Sequence, residues 1–174
     1  MKLSKFINNI RYKKDIQREA DCIQRIKQAV FEKCGIDNCI EYDYSTVAFA
    51  GTKDNMELML EILTQKDSER TFLYATVDDD DIFWQSWQEY DYNNLDEFEA
   101  EIVDYISKRV NQTVKTVIKK EQYKSYQEWV YVLDKNTDDW VLIQEEHTQD
   151  SLICRYFAEE TETIEFVKTY KLQI

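Results

Sequence analysis

The chain has 174 residues and a formal net charge of −13, from 22 Lys and Arg against 35 Asp and Glu. Its length suits one compact domain, and its 43% apolar and 14% aromatic content excludes wholesale disorder. Bulk acidity opposes binding of a phosphate backbone by the protein as a whole, and two Gly with no Pro leave little for glycine-rich phosphate loops.

Residues 12–33 read as a helix. Ile16, Ala20, Ile23, Ile26 and Val30 recur at steps of three and four, with Lys27 intruding on their face. Gly35 is placed for a left-handed C-cap, and Ile36 for the apolar contact that accompanies one. Residues 39–50 read as a strand. Thr52 then suits the N-cap of a second helix whose inner stripe is Met56, Met59, Leu60 and Leu63. Thr71 to Val77 reads as a strand, followed by four consecutive aspartates, and Ile82 to Tyr90 as another strand.

The third helix spans 95–111. Asn94 with Glu97 matches a capping box with Asn in the usual Ser/Thr place. Leu95, Phe98, Ile102, Tyr105 and Ile106 share one side, and Glu97, Glu101 and Asp104 share the other. Glu99 falls at the apolar edge, either reaching solvent at the boundary or marking a groove. Five strand candidates follow: 113–123, 126–133, 140–146, 152–158 and 163–172. The polar run Asp134 to Asp139 reads as a hairpin loop. Short connections favour antiparallel pairing. The expected fold is α+β: one domain over 1–174, three main helices and a C-terminal antiparallel meander. Within it lie a basic helical segment 1–34, an acidic middle 35–112 and a β-rich part 113–174.

The charge map carries the most information. Residues 1–33 hold nine basic groups against four acids, a net of +5, so the remainder is −18. Thr71 to Ser107 contains no Lys or Arg but eleven acids: Asp78, Asp79, Asp80, Asp81, Glu89, Asp91, Asp96, Glu97, Glu99, Glu101 and Asp104. Two readings fit. One is a solvated acidic face that keeps the protein soluble. The other is imitation of a nucleic acid. Glu97, Glu101 and Asp104 would stand about 5–6 Å apart along a helix axis. That line of charge is comparable with the phosphates of a DNA strand, about 3.4 Å apart along its axis. Trp84, Trp87, Tyr90 and Tyr92 lie among these acids, able to stack on arginine or to pack in the core. The basic segment 1–33 either docks on the acidic body or contacts RNA or an acidic protein surface; docking carries no association cost.

Catalytic motifs are missing from the sequence. His147 is the only histidine, with no Gly-x-Ser-x-Gly turn to partner it, and it reads as a surface residue at a strand end. No phosphate loop, dinucleotide fingerprint or His-Glu-x-x-His helix occurs. Asp78 to Asp81 could hold a divalent cation only through alternate carboxylates, and the calcium-loop glycine is missing. Cys22, Cys34, Cys39 and Cys154 are too sparse for a disulfide framework. They read as reduced, buried thiols, although Cys22, Cys34, Cys39 and His147 could in principle complete a zinc site. No apolar run suits a secretory signal or a membrane span. The expectation is a cytoplasmic protein without cofactor or metal.

In composition, and in the segment Asp78 to Asp104, the chain resembles the anti-CRISPR proteins and antirestriction DNA mimics carried by phages and mobile elements. The resemblance implies a non-enzymatic inhibitor. It would occupy the basic groove of a nucleic-acid-handling protein, most plausibly a CRISPR effector nuclease. The partner-binding residues would be Asp78, Asp79, Asp80, Asp81, Trp87, Glu89, Asp91, Glu97, Glu101 and Asp104. The basic excess before Cys34 departs from a uniformly acidic mimic and leaves room for a bipartite binder. The alternative is an intracellular interaction or oligomerisation domain using an edge strand of the C-terminal sheet. A third class is an enzyme built on an unrecognised carboxylate site.

Overall fold

A computed structural model describes residues 2–36, 39–79, 83–121, 125–148 and 161–173. Two compact units divide the chain: Met1–Val110 with Lys171–Ile174, and Asn111–Tyr170.

The first unit opens with α1 (Lys2–Cys34). Gly35 ends this helix in the left-handed region at φ 67°, and its N–H bonds the Phe31 carbonyl at 2.7 Å. This is the expected cap, which a glycine adopts without a Cβ penalty. Strands β1 (Ile40–Glu41), β2 (Thr46–Gly51), β3 (Met56–Lys66), β4 (Thr71–Asp79) and β5 (Phe83–Glu89) then form one antiparallel sheet in chain order. Helix α2 (Asp96–Ser107) closes the series. The last described residues return to this unit, where Gly51 N–H bonds the Lys171 carbonyl and Gln173 N–H bonds the Gly51 carbonyl, both at 2.9 Å.

Among the described residues there are two helices and nine strands, so the fold is mostly β and the three-helix expectation is corrected. The error lies at 52–63. Thr52 Oγ1 does accept the Asn55 N–H, at 3.1 Å, as an N-cap would. Yet Thr52 N–H also bonds the Asn55 carbonyl, at 2.8 Å, and closes a hairpin turn between β2 and β3. The following residues satisfy both periods: Met56, Met59, Leu60 and Leu63 at helical spacing, Leu58, Leu60 and Ile62 at strand spacing. Burial follows the second set, with those three side chains at 1%, 0% and 0% exposure. Pairing on both flanks supplies the hydrogen bonds a lone helix would have made internally. The segment 39–50 is likewise two strands, broken where Asp43 Oδ1 accepts the Ser45 N–H at 2.8 Å.

Alternation assigns the faces of this sheet. Val47, Leu60, Ile62, Ala75, Val77 and Trp87 share one face, and Asp78 lies on the other. The helices cover the first face. Cys22, Ile23, Ile26 and Val30 of α1 and Phe98, Ile102, Val103 and Ile106 of α2 are buried. Glu19 Oε1 of α1 accepts the Thr64 N–H of β3 at 2.6 Å, and Trp87 of β5 meets Tyr105 of α2 edge to face, centroids 5.4 Å apart.

The second unit is an antiparallel sheet of β6 (Thr113–Glu121), β7 (Ser125–Asp134), β8 (Asp139–Thr148) and β9 (Glu162–Thr169), in the order β8-β7-β6-β9. Antiparallel pairing is as expected, but a meander is not: β9 crosses over to pair with β6. The Asp134–Asp139 hairpin is present, with Asp138 at φ 61° and Asp134 Oδ1 accepting the Asn136 N–H. The expected strand 152–158 lies outside the described residues.

Candidate functional site

Helix α2 positions the central acids. It starts at Asp96, with Leu95 at the N-cap and no side-chain cap, so the Asn94/Glu97 capping box does not form. Asp96, Glu97 and Glu99 instead fill the first turn, where carboxylates favour the positive end of the helix dipole. The helix ends at Ser107, followed by a turn in which Lys108 N–H bonds the Asp104 carbonyl at 3.1 Å.

Among the described residues, Asp78 lies apart from the acids of α2. Asp80 and Asp81 lie outside the described residues, as does the side chain of Asp79. Asp78 is half-buried on the sheet face away from the helices. Trp87 and Glu89 belong to the helix-covered face, where Trp87 packs on Tyr105 and Glu89 Oε1 accepts the Asp91 N–H at 2.6 Å. Asp104 is neutralised by Lys33 of α1 at 3.1 Å and by Lys108 at 2.5 Å. The Lys108 hydrogen bond, then that of Lys33, holds its carboxyl below the ordinary carboxylate value.

Glu99 finds the groove its wheel position left open. It is 13% exposed and accepts from Arg25 Nη2 at 2.6 Å, Arg25 Nε at 2.9 Å and Cys22 Sγ at 3.1 Å. Burial first, then the Glu99 charge, pushes the Cys22 thiol far up, so it stays protonated and donates. These contacts advance along α1 and α2 in the same sense, from Cys22–Glu99 to Lys33–Asp104. Arg18, paired with Asp15 at 3.0 Å, lies 4.0 Å over the Tyr92 ring just before α2. The second half of the basic segment therefore docks on the acidic body, the simpler of its two expected roles.

Four acids remain in the first half of α2 and the loop before it. Asp91, Asp96, Glu97 and Glu101 are exposed, and among the described residues none has a cation within ion-pair distance. Asp91 Oδ1 accepts the Asn93 N–H at 2.9 Å, which fixes the loop entering the helix.

Comparison with family models, with curated proteins and with solved structures yields no match.

Two other places bear on chemistry. A cavity of about 310 Å³ near the C-terminal end of α1 is lined by Gln24, Lys27, Gln28, Phe31, Ile36, Cys39 and Phe49. The Lys27 ammonium there is bonded to Glu41, and burial pushes the Cys39 thiol up, so neither is poised as a nucleophile. Sequence periodicity showed Lys27 intruding on an apolar face but gave no sign of this cavity. Among the described residues no three His, Cys, Asp or Glu side chains gather at metal-binding distance. His147 is exposed on β8, and Cys154 lies outside the described residues. No helix among them is long and apolar enough to cross a membrane.

Proposed function

We propose that the protein is a non-enzymatic inhibitor that occupies the cationic groove of a nucleic-acid-handling protein in the cytoplasm. The observation that carries this reading is the division among the acids. Glu99 and Asp104 are neutralised within the chain, whereas Asp91, Asp96, Glu97 and Glu101, in the first half of α2 and the loop before it, are left solvated. Repulsion between carboxylates one turn apart, as Glu97 and Glu101 are, costs a helix a few tenths of a kcal/mol. A cationic groove would relieve that repulsion. Complementary charge would speed encounter, and desolvated contacts would set residence time.

CRISPR effector nucleases are the partner class to try first, because their channels bind a heteroduplex through its backbone rather than its sequence. The experiment is target cleavage by purified, guide-loaded effectors with and without the protein. Wild type is expected to inhibit at least one effector, and the double variant Glu97→Lys/Glu101→Lys to lose that inhibition while staying folded. Equal inhibition by both removes the helix end from the interface.

A second reading is supported by Val141, Leu142 and Val167, which are 49%, 46% and 58% exposed on β8 and β9, the outer strands of the second sheet among the described residues. Exposed apolar residues there suit a protein-interaction or self-association domain. Light scattering across concentrations tests it: a mass that rises and then falls back on Leu142→Lys supports assembly, and a constant monomer mass counts against it.

A further inference from the structure

The cavity of about 310 Å³ beside the C-terminal half of α1 lies within the first unit and has two kinds of wall. Phe31, Ile36 and Phe49 are apolar, and Gln24, Lys27 and Gln28 are polar. Lys27 stands on the face that Ile23, Ile26 and Val30 turn to the core, and its side chain is only 19% exposed. Phe31 is 42% exposed, although Phe49 across the same cavity is buried. One exposed ring needs no explanation. This one lines a cavity that also holds an ammonium largely withdrawn from water.

The Lys27 ammonium is bonded to the Glu41 carboxylate and lies 3.4 Å from Gln24 Oε1. Glu41 belongs to β1, a strand of two residues at one side of the first sheet, and its side chain is 60% exposed. The two partners are therefore unequal. A cation taken most of the way out of water needs an anion beside it, whereas an exposed carboxylate returns to water at little cost. A carboxylate that enters the cavity can take the place of Glu41 at the ammonium while Glu41 turns to solvent. That exchange conserves one ion pair. The gain comes from the rest of the ligand, which buries its apolar surface against Phe31, Ile36 and Phe49.

We infer that this cavity binds a small aromatic carboxylic acid, its carboxylate on Lys27 and its ring against Phe31 and Phe49. The volume stands at the lower end of the range for ligand cavities, about 300–1,000 Å³, and so fits an acid of one or two rings. Rings in the wall favour a ring in the ligand, because offset and edge-on contacts add to the burial of area. A cationic ligand would meet the ammonium as a like charge. The site is one of binding, not of reaction, and its residues are independent of the acids of α2.

The test is a heteronuclear NMR titration of the full chain with naphthoate and with its uncharged analogue, naphthamide. Naphthoate is expected to shift the amide signals of Lys27, Gln28, Phe31 and Phe49 saturably, with a Kd of about 1 mM or below. Naphthamide is expected to bind about fivefold more weakly or worse. Lys27→Met is expected to erase that preference, so that the two ligands bind alike. Glu41→Gln removes the competing carboxylate and is expected to tighten naphthoate about two- to fivefold while leaving naphthamide unchanged. Phe31→Ala, at an exposed position, is expected to weaken both ligands about two- to tenfold. Glu97→Lys/Glu101→Lys is expected to titrate as wild type does, so this site and the inhibitory face are read separately. No saturable shift with naphthoate, equal affinity of wild type for acid and amide, or no gain in Glu41→Gln overturns the inference.

Discussion

Glu99 shows how far a single side chain can be read in advance. Its place at the apolar edge of a helix marked it as irregular, but not what it would meet. The carboxylate lies between a buried thiol and a guanidinium, 77 and 74 residues away in sequence. Glu99→Ala removes the acceptor from both donors and is expected to cost about 1–3 kcal/mol in urea unfolding. The Cys22 thiol adds a pH dependence. Its value is raised in the folded state, so its contribution is fully present below the ordinary thiol value of 9.0 and is lost as pH rises above it. Thermal midpoints are expected to fall more steeply above pH 9 in wild type than in Cys22→Ala. Gly51 is a second fixed point, with φ 90° and space for a Cβ only 2.2 Å from the Asn55 carbonyl oxygen. Gly51→Ala is expected to destabilise the first unit by about 2 kcal/mol or more, read from the same urea curves.

At the scale of elements, the two helices were legible and the segment between them was not. Apolar spacing revealed α1 and α2 because their buried residues fall at three- and four-residue steps and at no two-residue alternation. In α2, Ile102→Ala removes a fully buried side chain and is expected to cost about 2–5 kcal/mol. Met56 to Leu63 fits both periods, and only the pairing of β3 with β2 and β4 decides between them. Partners distant in sequence, which no local pattern contains, also placed β9 beside β6. The capping box failed for a related reason: α2 begins one residue later than the motif implied, and its first-turn acids face the helix dipole unaided. The pairing of Asp104 with Lys33 and Lys108 is half-exposed and is expected to contribute only about 0.2–1 kcal/mol. Because these partners lower the Asp104 value, that contribution is present at neutral pH and is lost as pH falls below the ordinary carboxylate value of 3.8.

At the scale of the molecule, the sequence revealed that charge is polarised but not how it is spent. Counting alone separates a +5 segment from a −18 remainder. The fold then cancels part of each against the other through Arg25–Glu99, Lys27–Glu41 and Lys33–Asp104. Among the described residues it leaves carboxylates in the first half of α2, and Lys13 and Lys14 on α1, without an ion pair. Asp78, named with Glu97 among the expected partner-binding acids, lies on the sheet face away from the helices because side chains alternate along β4. Among the described residues, the acids of the stretch 71–107 that are exposed and without an ion pair are Asp91, Asp96, Glu97 and Glu101, in the first half of α2 and the loop before it.

The most direct test of these acids compares two charge changes in one cleavage-inhibition assay with guide-loaded effector nucleases. Glu97→Lys/Glu101→Lys alters solvated acids and is expected to abolish inhibition by wild-type protein. Asp104→Asn alters a carboxylate already neutralised by two lysines and is expected to leave inhibition within about twofold of wild type, as near-neutral contacts do. Full inhibition by the first variant, or loss confined to the second, would contradict the account.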